Sequence, residues 1–343
     1  MRIGMCCMVV VLGSIGCSTD GAAEPPISIA WISKGATNSI FEPGRAGAKD
    51  AGEHLSLASG KTIDVLLAEP EDGNADDQAD KIRQARLAGV AAIGISVLNA
   101  SKASPLLDEA ENAGTLVLTF DSDAPDSKRS AYYGIDNRHA GAEAAHVLAA
   151  LMDSRGKVVV LSNSDQAPNN IARVDGFNET LLASYPELEV VDTVYCGAPE
   201  EAATNGCTSL LEEAMAQHPD VTGFYHARGR ALREADLATK APTWVQASLS
   251  GRVKSVGFDA VPEALENMRG GLVHALIGQK YYAWGYDIVS LAFYSAIGQS
   301  HPSGFIDSGF DVVCSNNVAA MEEIWRDKDF TRQLPACDLL GAD

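Results

Sequence analysis

From Ile27 onward the chain repeats one rhythm: a short continuous apolar run, then a longer stretch with helical spacing, then another apolar run. The runs 27–33, 63–67, 91–95 and 116–120 are separated by helix-like stretches at about 43–57, 76–87 and 102–113. Continuous rather than alternating hydrophobicity marks strands covered on both faces, and helices between such strands imply a parallel sheet. The rhythm restarts after Asn137, with runs at 157–161, 188–194, 223–225, 253–258 and 273–277 and a further helix at about 283–297. The fold class expected is α/β, with two doubly wound parallel-sheet lobes, each a five-strand unit. A chain of 343 residues is long enough to bury both cores.

The first residues follow a different pattern. Arg2 precedes an apolar run, Met5 to Leu12, that is too short to cross a bilayer as a helix but suits the apolar region of an export signal. It ends in Ser14-Ile15-Gly16-Cys17, which resembles a bacterial lipobox, with Ser14 where Leu is usual. The reading is a signal segment 1–17, with Cys17 acylated as the mature N-terminus, and a tether 18–26; simple cleavage near Ala22-Ala23 is the alternative. The location expected is periplasmic or cell-surface, with the protein held at a membrane by its lipid. Outside the signal four cysteines remain, Cys196, Cys207, Cys314 and Cys337, an even number with no metal-binding spacing, as suits disulfides in an oxidising compartment. Pairing 196 with 207 and 314 with 337 closes two short local loops, although four cysteines allow three pairings. A formal charge of −20 without a basic stripe argues against nucleic acid as a partner and for solubility.

In doubly wound sheets ligands bind beyond the carboxyl ends of the strands. The residues there are Asp121 after Phe120, Asp259 after Phe258, Gln279 after Gly278, and His226 and Arg228 after Tyr225, while the first strand leads to Asn38 and Phe41. Carboxylate, amide and guanidinium groups make paired hydrogen bonds to vicinal hydroxyls, and an aromatic ring covers an apolar sugar face. Each Asp is equally a favoured helix N-cap. Its recurrence at the same place in both halves speaks for ligand contact. Phe41 alone reads as core, and Gln279 alone as a loop amide.

Several stretches, in order, resemble one family: 30–35 leading to Asn38 and Phe41, 119–125, 134–137, 172–177, 257–259 and 278–279. Over essentially the whole chain after the tether, the sequence is similar to the type I periplasmic binding proteins, specifically the ribose-type monosaccharide binders of ABC importers. The resemblance implies a monomer with no cofactor and no catalysis, which closes on a monosaccharide and presents it to an importer permease. It implies a ligand shell of Asn38, Phe41 and Asp121 from the first lobe and Arg173, Asp259 and Gln279 from the second; the strand-end reading adds Arg228, with Lys34, Asp123 and His226 as subsidiary candidates. It also implies three hinge crossings, dividing the chain into a first lobe of 27–136 plus 280–308 and a second of 137–279 plus 309–343. Two positions depart from the family pattern. Ile40 replaces a second aromatic, and Arg228 stands where Asn is usual. A second arginine fits a ligand carboxylate, another hydroxyl pattern, or a salt bridge to one of the many acids.

Other motifs fail on inspection. Gly60-Lys61-Thr62 lacks the earlier P-loop glycine and precedes a strand. The stretch from Asp72 has Asp77 in place of the glycine a calcium loop needs, and the seven histidines lack metal spacing. An Asp121/Asp123 pair for glycoside hydrolysis has no other support. A binder that reports to a receptor instead of an importer shares every residue argument. A repressor would need a helix-turn-helix head where the export segment lies.

Overall fold

A computed structural model describes residues 24–71, 73–162, 168–196, 207–234 and 236–339. Cys17, the signal segment and most of the tether lie outside them.

Two six-stranded sheets share one strand order. The first holds β1 (Ile27–Ile32), β2 (Ile63–Leu67), β3 (Ala92–Ile95), β4 (Leu116–Phe120), β5 (Ala131–Gly134) and β11 (Gly304–Asp307), ordered β11-β5-β4-β3-β1-β2 and parallel throughout. The second holds β6 (Gly156–Ser162), β7 (Leu188–Tyr195), β8 (Gly223–His226), β9 (Lys254–Phe258), β10 (Ala275–Gln279) and β12 (Phe310–Cys314), ordered β12-β10-β9-β8-β6-β7. Here β12 runs antiparallel to β10, so the second sheet is mixed at its edge. The first sheet thus holds two strands beyond the four apolar runs of the first half, β5 and β11, and the second holds one beyond its five runs, β12. The late strands β11 and β12 complete the two edges at equivalent places.

The central strands are apolar and buried on both faces, as in β3 and β10, whose residues are all buried. Caps fix where the helices start: Asn74 accepts from the amides of Asp76 and Asp77, Asn99 from Lys102, and Asp136 from His139. Gly60, in a left-handed conformation at φ 70°, ends the helix Glu42–Ser59. The Gly-Lys-Thr stretch is thus a helix stop, not a phosphate cradle.

The chain passes between the sheets in three places: from Gly134 to Asn137, from Gln279 to Ala283, and from Asp307 to Phe310. The helix Asn137–Leu151 packs against Pro168–Ser184 and β9, on the second sheet, whereas Ala283–Ala296 returns to the first, against Glu42–Ser59 and β1. Both helix pairs meet at glycines. A Cβ on Gly285 would lie 1.8 Å from the Gly44 carbonyl oxygen, and one on Gly176 would lie 2.0 Å from that of Arg138. Two disulfides join Cys196 to Cys207 and Cys314 to Cys337. The second ties the C-terminal segment to β12.

Candidate functional site

Asp121 and Asp259 occupy equivalent positions. Each follows a phenylalanine at the carboxyl end of the third strand from the edge, β4 in one sheet and β9 in the other. Both take left-handed backbone conformations, φ 57° and 70°, which cost a side-chain-bearing residue free energy and concentrate at functional sites. Neither caps a helix. Asp121 is followed by a turn into β5, and the helix Pro262–Arg269 takes Val261 as its N-cap with no side-chain bond.

Around Asp121 the strand ends supply partners. Ser96, directly after β3, donates its hydroxyl to Oδ2 at 2.7 Å, and Lys34, after β1, pairs with the same oxygen at 2.9 Å. Tyr132 donates to the Asp121 carbonyl at 3.0 Å. Burial and the Asp121 charge hold the Tyr132 hydroxyl protonated, so it remains a donor. Gln78 braces this side from beneath, donating to the carbonyls of Ser33 and Ser96, each at 2.9 Å.

Around Asp259, the Gln279 amide donates to Oδ1 at 3.1 Å and the Tyr281 hydroxyl to the same oxygen at 3.4 Å. Arg173 is buried, with its guanidinium 3.8 Å from the Phe258 ring centroid; it donates to Asn137 Oδ1 at 2.8 Å and to the Ala227 carbonyl at 3.1 Å. Cation–π contact and two neutral acceptors hold it in place, and no carboxylate among the described residues pairs with it. Gly229 lets the turn after β8 lie against the end of β9: a Cβ there would sit 2.0 Å from the Phe258 carbonyl oxygen and 3.3 Å from the Asp259 Cβ. Arg228, one residue earlier, is thereby brought beside Asp259. Burial lowers the pKa of its guanidinium, while the carboxylates of Asp259 and Asp121 act to raise it. One cation thus feels acids from both sheets.

Other candidates fall elsewhere. Phe41 is 1% exposed and packs with Trp31, Phe120 and Trp284, centroids 5.7–6.4 Å away, so its ring belongs to the core. Asn38 is exposed, and its side chain accepts from the Ile40 amide at 3.3 Å, capping the short turn Ser39–Phe41. Asp123 is committed to the loop: it takes both arms of Arg129, the Thr119 hydroxyl and the Ala124 amide. His226 is 0% exposed, points to the face holding Phe224 and Trp244, and has neither ring nitrogen hydrogen-bonded. Burial pushes its pKa down to about 3, so it is neutral core. Alternation along β8 explains this, since Tyr225 takes the opposite face against Phe177 and Phe258.

Sequence reasoning passed over Ser96, Tyr132, Asn137 and Tyr281 as site residues. The strand-end rule reaches Ser96 directly, because it follows Ile95 of β3. Tyr132, inside a four-residue edge-side strand, carries no such signal. Among the described residues no group of three or more His, Cys, Asp or Glu side chains is placed to hold a metal ion.

Comparison with known proteins agrees with this architecture. The chain is 23% identical over 315 residues to the xylose/arabinose-binding protein XylF of Sulfolobus acidocaldarius, covering 86% of this chain and 73% of that protein. A solute-binding protein from Burkholderia graminis, solved with D-arabinose, superposes with a TM-score of 0.71 at 26% identity, covering 84% of this chain and 96% of that one. The arabinose-binding protein AraP of Geobacillus stearothermophilus gives 0.73 at 24% identity, covering 87% and 99%. Residues 29–300 match the family model described as a periplasmic binding protein domain, and with two α/β lobes linked by three crossings the chain belongs to that family.

Proposed function

We propose that the protein captures a monosaccharide between its lobes and hands it to an ABC importer. The observation carrying this reading is that Asp121 and Asp259 leave the carboxyl ends of the equivalent strands β4 and β9, both in left-handed backbone conformations. The lobes are 27–136 plus 280–308 and 137–279 plus 309–343, hinged at the three crossings. The ligand shell consists of Asp121 with Lys34 on one side and Asp259, Gln279, Arg173 and Arg228 on the other. Carboxylates accept from sugar hydroxyls, guanidinium and amide groups donate to them, and Ser96 and Tyr281 hold the two acids in place. Contacts to both lobes are complete only when the hinge closes, so the ligand shifts the population toward closure. The D-arabinose in the Burkholderia relative supports a monosaccharide of this size.

The family relatives are solute-binding proteins, and an extracytoplasmic location goes with the family. Acylation at Cys17 would keep the binder at the membrane. Cys17→Ala should move it to the soluble fraction, and unchanged membrane association removes the anchor. Thermal-shift screening of the mature chain against pentoses, hexoses, polyols and sugar acids tests the main reading, because a ligand at 100 times its Kd adds about 2.7 kcal/mol of stability. Ligand recovered chemically unchanged supports binding without catalysis; a shift for no compound overturns the proposal.

A further inference from the structure

The turn after β8 reads Arg228-Gly229-Arg230-Ala231-Leu232-Arg233, three arginines in six residues of a chain with net charge −20. All three are partly buried, and none has an ion-pair or hydrogen-bond partner for its side chain among the described residues. This is unusual where acids are so abundant: the lysines are largely paired, as Lys157 is with Asp220, Lys240 with Asp236 and Lys280 with Asp311. The acids next in sequence, Glu234 and Asp236, are both engaged by Lys240 and not by the arginines. Lys34 neutralises Asp121, and Arg173 adds a further cation. Asp259 accepts at Oδ1 from Gln279 and Tyr281 and makes no ion pair with Arg228, although its charge acts on that guanidinium. Arg233 closes the short 3-10 turn Ala231–Arg233 that follows. The ligand-facing side of the second lobe is thus left with an excess of positive charge.

Desolvating a cation without a counter-ion is costly, and a fold tolerates it where a ligand supplies the missing charge. Resting on the monosaccharide reading above, we propose that the preferred ligand is a sugar acid, whose carboxylate is taken by Arg228, with Arg230 and Arg233 strengthening the local field. The planar guanidinium matches a carboxylate with two parallel hydrogen bonds, which a hydroxyl cannot offer. A charge-assisted pair of this kind is worth about tenfold to a hundredfold in affinity over a neutral contact.

The test is calorimetric titration of the mature chain with matched pairs: galactose and galacturonate, glucose and glucuronate, arabinose and arabinonate, with galactose 6-phosphate as a separate arm. The expected result is one acid binding at least tenfold more tightly than its neutral partner, by a margin that shrinks as salt rises. In Arg228→Gln, confirmed as folded by its ligand-free melting temperature, that ratio should fall toward one. A neutral sugar binding as tightly as its acid overturns the sugar-acid inference and leaves the monosaccharide reading standing. Tighter binding of the phosphate than of any carboxylate also overturns it, in favour of a phosphorylated ligand. No binding in any arm overturns both.

Discussion

Replacing Asp259 with Asn separates the carboxylate's role in binding from its role in the fold. Asn is nearly isosteric and tolerates the left-handed region, so the φ of 70° carries no new strain. Its carbonyl oxygen still accepts from Gln279 and Tyr281, now at 3.1 and 3.4 Å from Oδ1. What changes is the second oxygen, which becomes an NH2 donor facing ligand hydroxyls that had donated to it. Losing one charge-assisted hydrogen bond costs about 1.5–3 kcal/mol, or roughly tenfold to 150-fold in Kd. The ligand-free protein keeps both internal bonds, so its melting temperature should move by no more than about 4 °C. Calorimetry with the tightest ligand of the screen, paired with thermal melting of the ligand-free variant, reads both quantities. Binding within about threefold of the parent would refute the assignment of Asp259 to the ligand shell. A large fall in melting temperature would refute the claim that its carboxylate serves the ligand more than the fold.

Phe41→Leu should lower stability by about 1–2 kcal/mol while changing ligand affinity less than threefold, since the ring is core; denaturant melts and calorimetry distinguish this from a ring that stacks on the sugar. His226 and His274 are held neutral by burial, with pKa values pushed down to about 3 and about 4. In that window the unfolded chain binds more protons, so their stabilisation is full above about pH 6.5 and is lost as pH falls, at up to about 1.4 kcal/mol per pH unit for each group. Urea denaturation between pH 7.5 and 5 should show this loss, and His226→Leu should reduce it by about half, His274 supplying the rest. Replacing Cys314 and Cys337 together by Ser opens a loop of separation 23 and should cost about 3 kcal/mol, read as a lower urea midpoint with an unchanged ligand Kd.

Much of the architecture is legible because the central strands are continuous apolar runs, which only a doubly covered sheet explains. The segments 63–67 and 116–120 coincide with β2 and β4 to the residue. The strands β11 and β5 are not legible in this way. In β11, Gly304-Phe305-Ile306-Asp307 is mostly exposed, and β5 is only four residues long, so neither carries a doubly covered run. Strand ends point to Asp121, Asp259 and Gln279, and the structure brings these three to the carboxyl ends of β4, β9 and β10. They mislead at His226, whose side chain is directed by the alternation of the strand and not by its position at the end. The roles of Phe41 and Asp123 depend on three-dimensional neighbours, Trp284 and Arg129 among them, that spacing along the chain does not disclose.

The return of Ala283–Ala296 to the first sheet has a consequence during synthesis. This helix covers β1 and β3 and meets the helix Glu42–Ser59 at Gly285, yet it emerges about 150 residues after β5, some ten to thirty seconds later at ordinary elongation rates. Until then the nascent amino-terminal half lacks the cover for one face of its sheet and cannot lock. A polypeptide whose earliest strands wait for one of its last helices stays pliable while it is being made, the condition needed to thread it through a translocation pore before it folds.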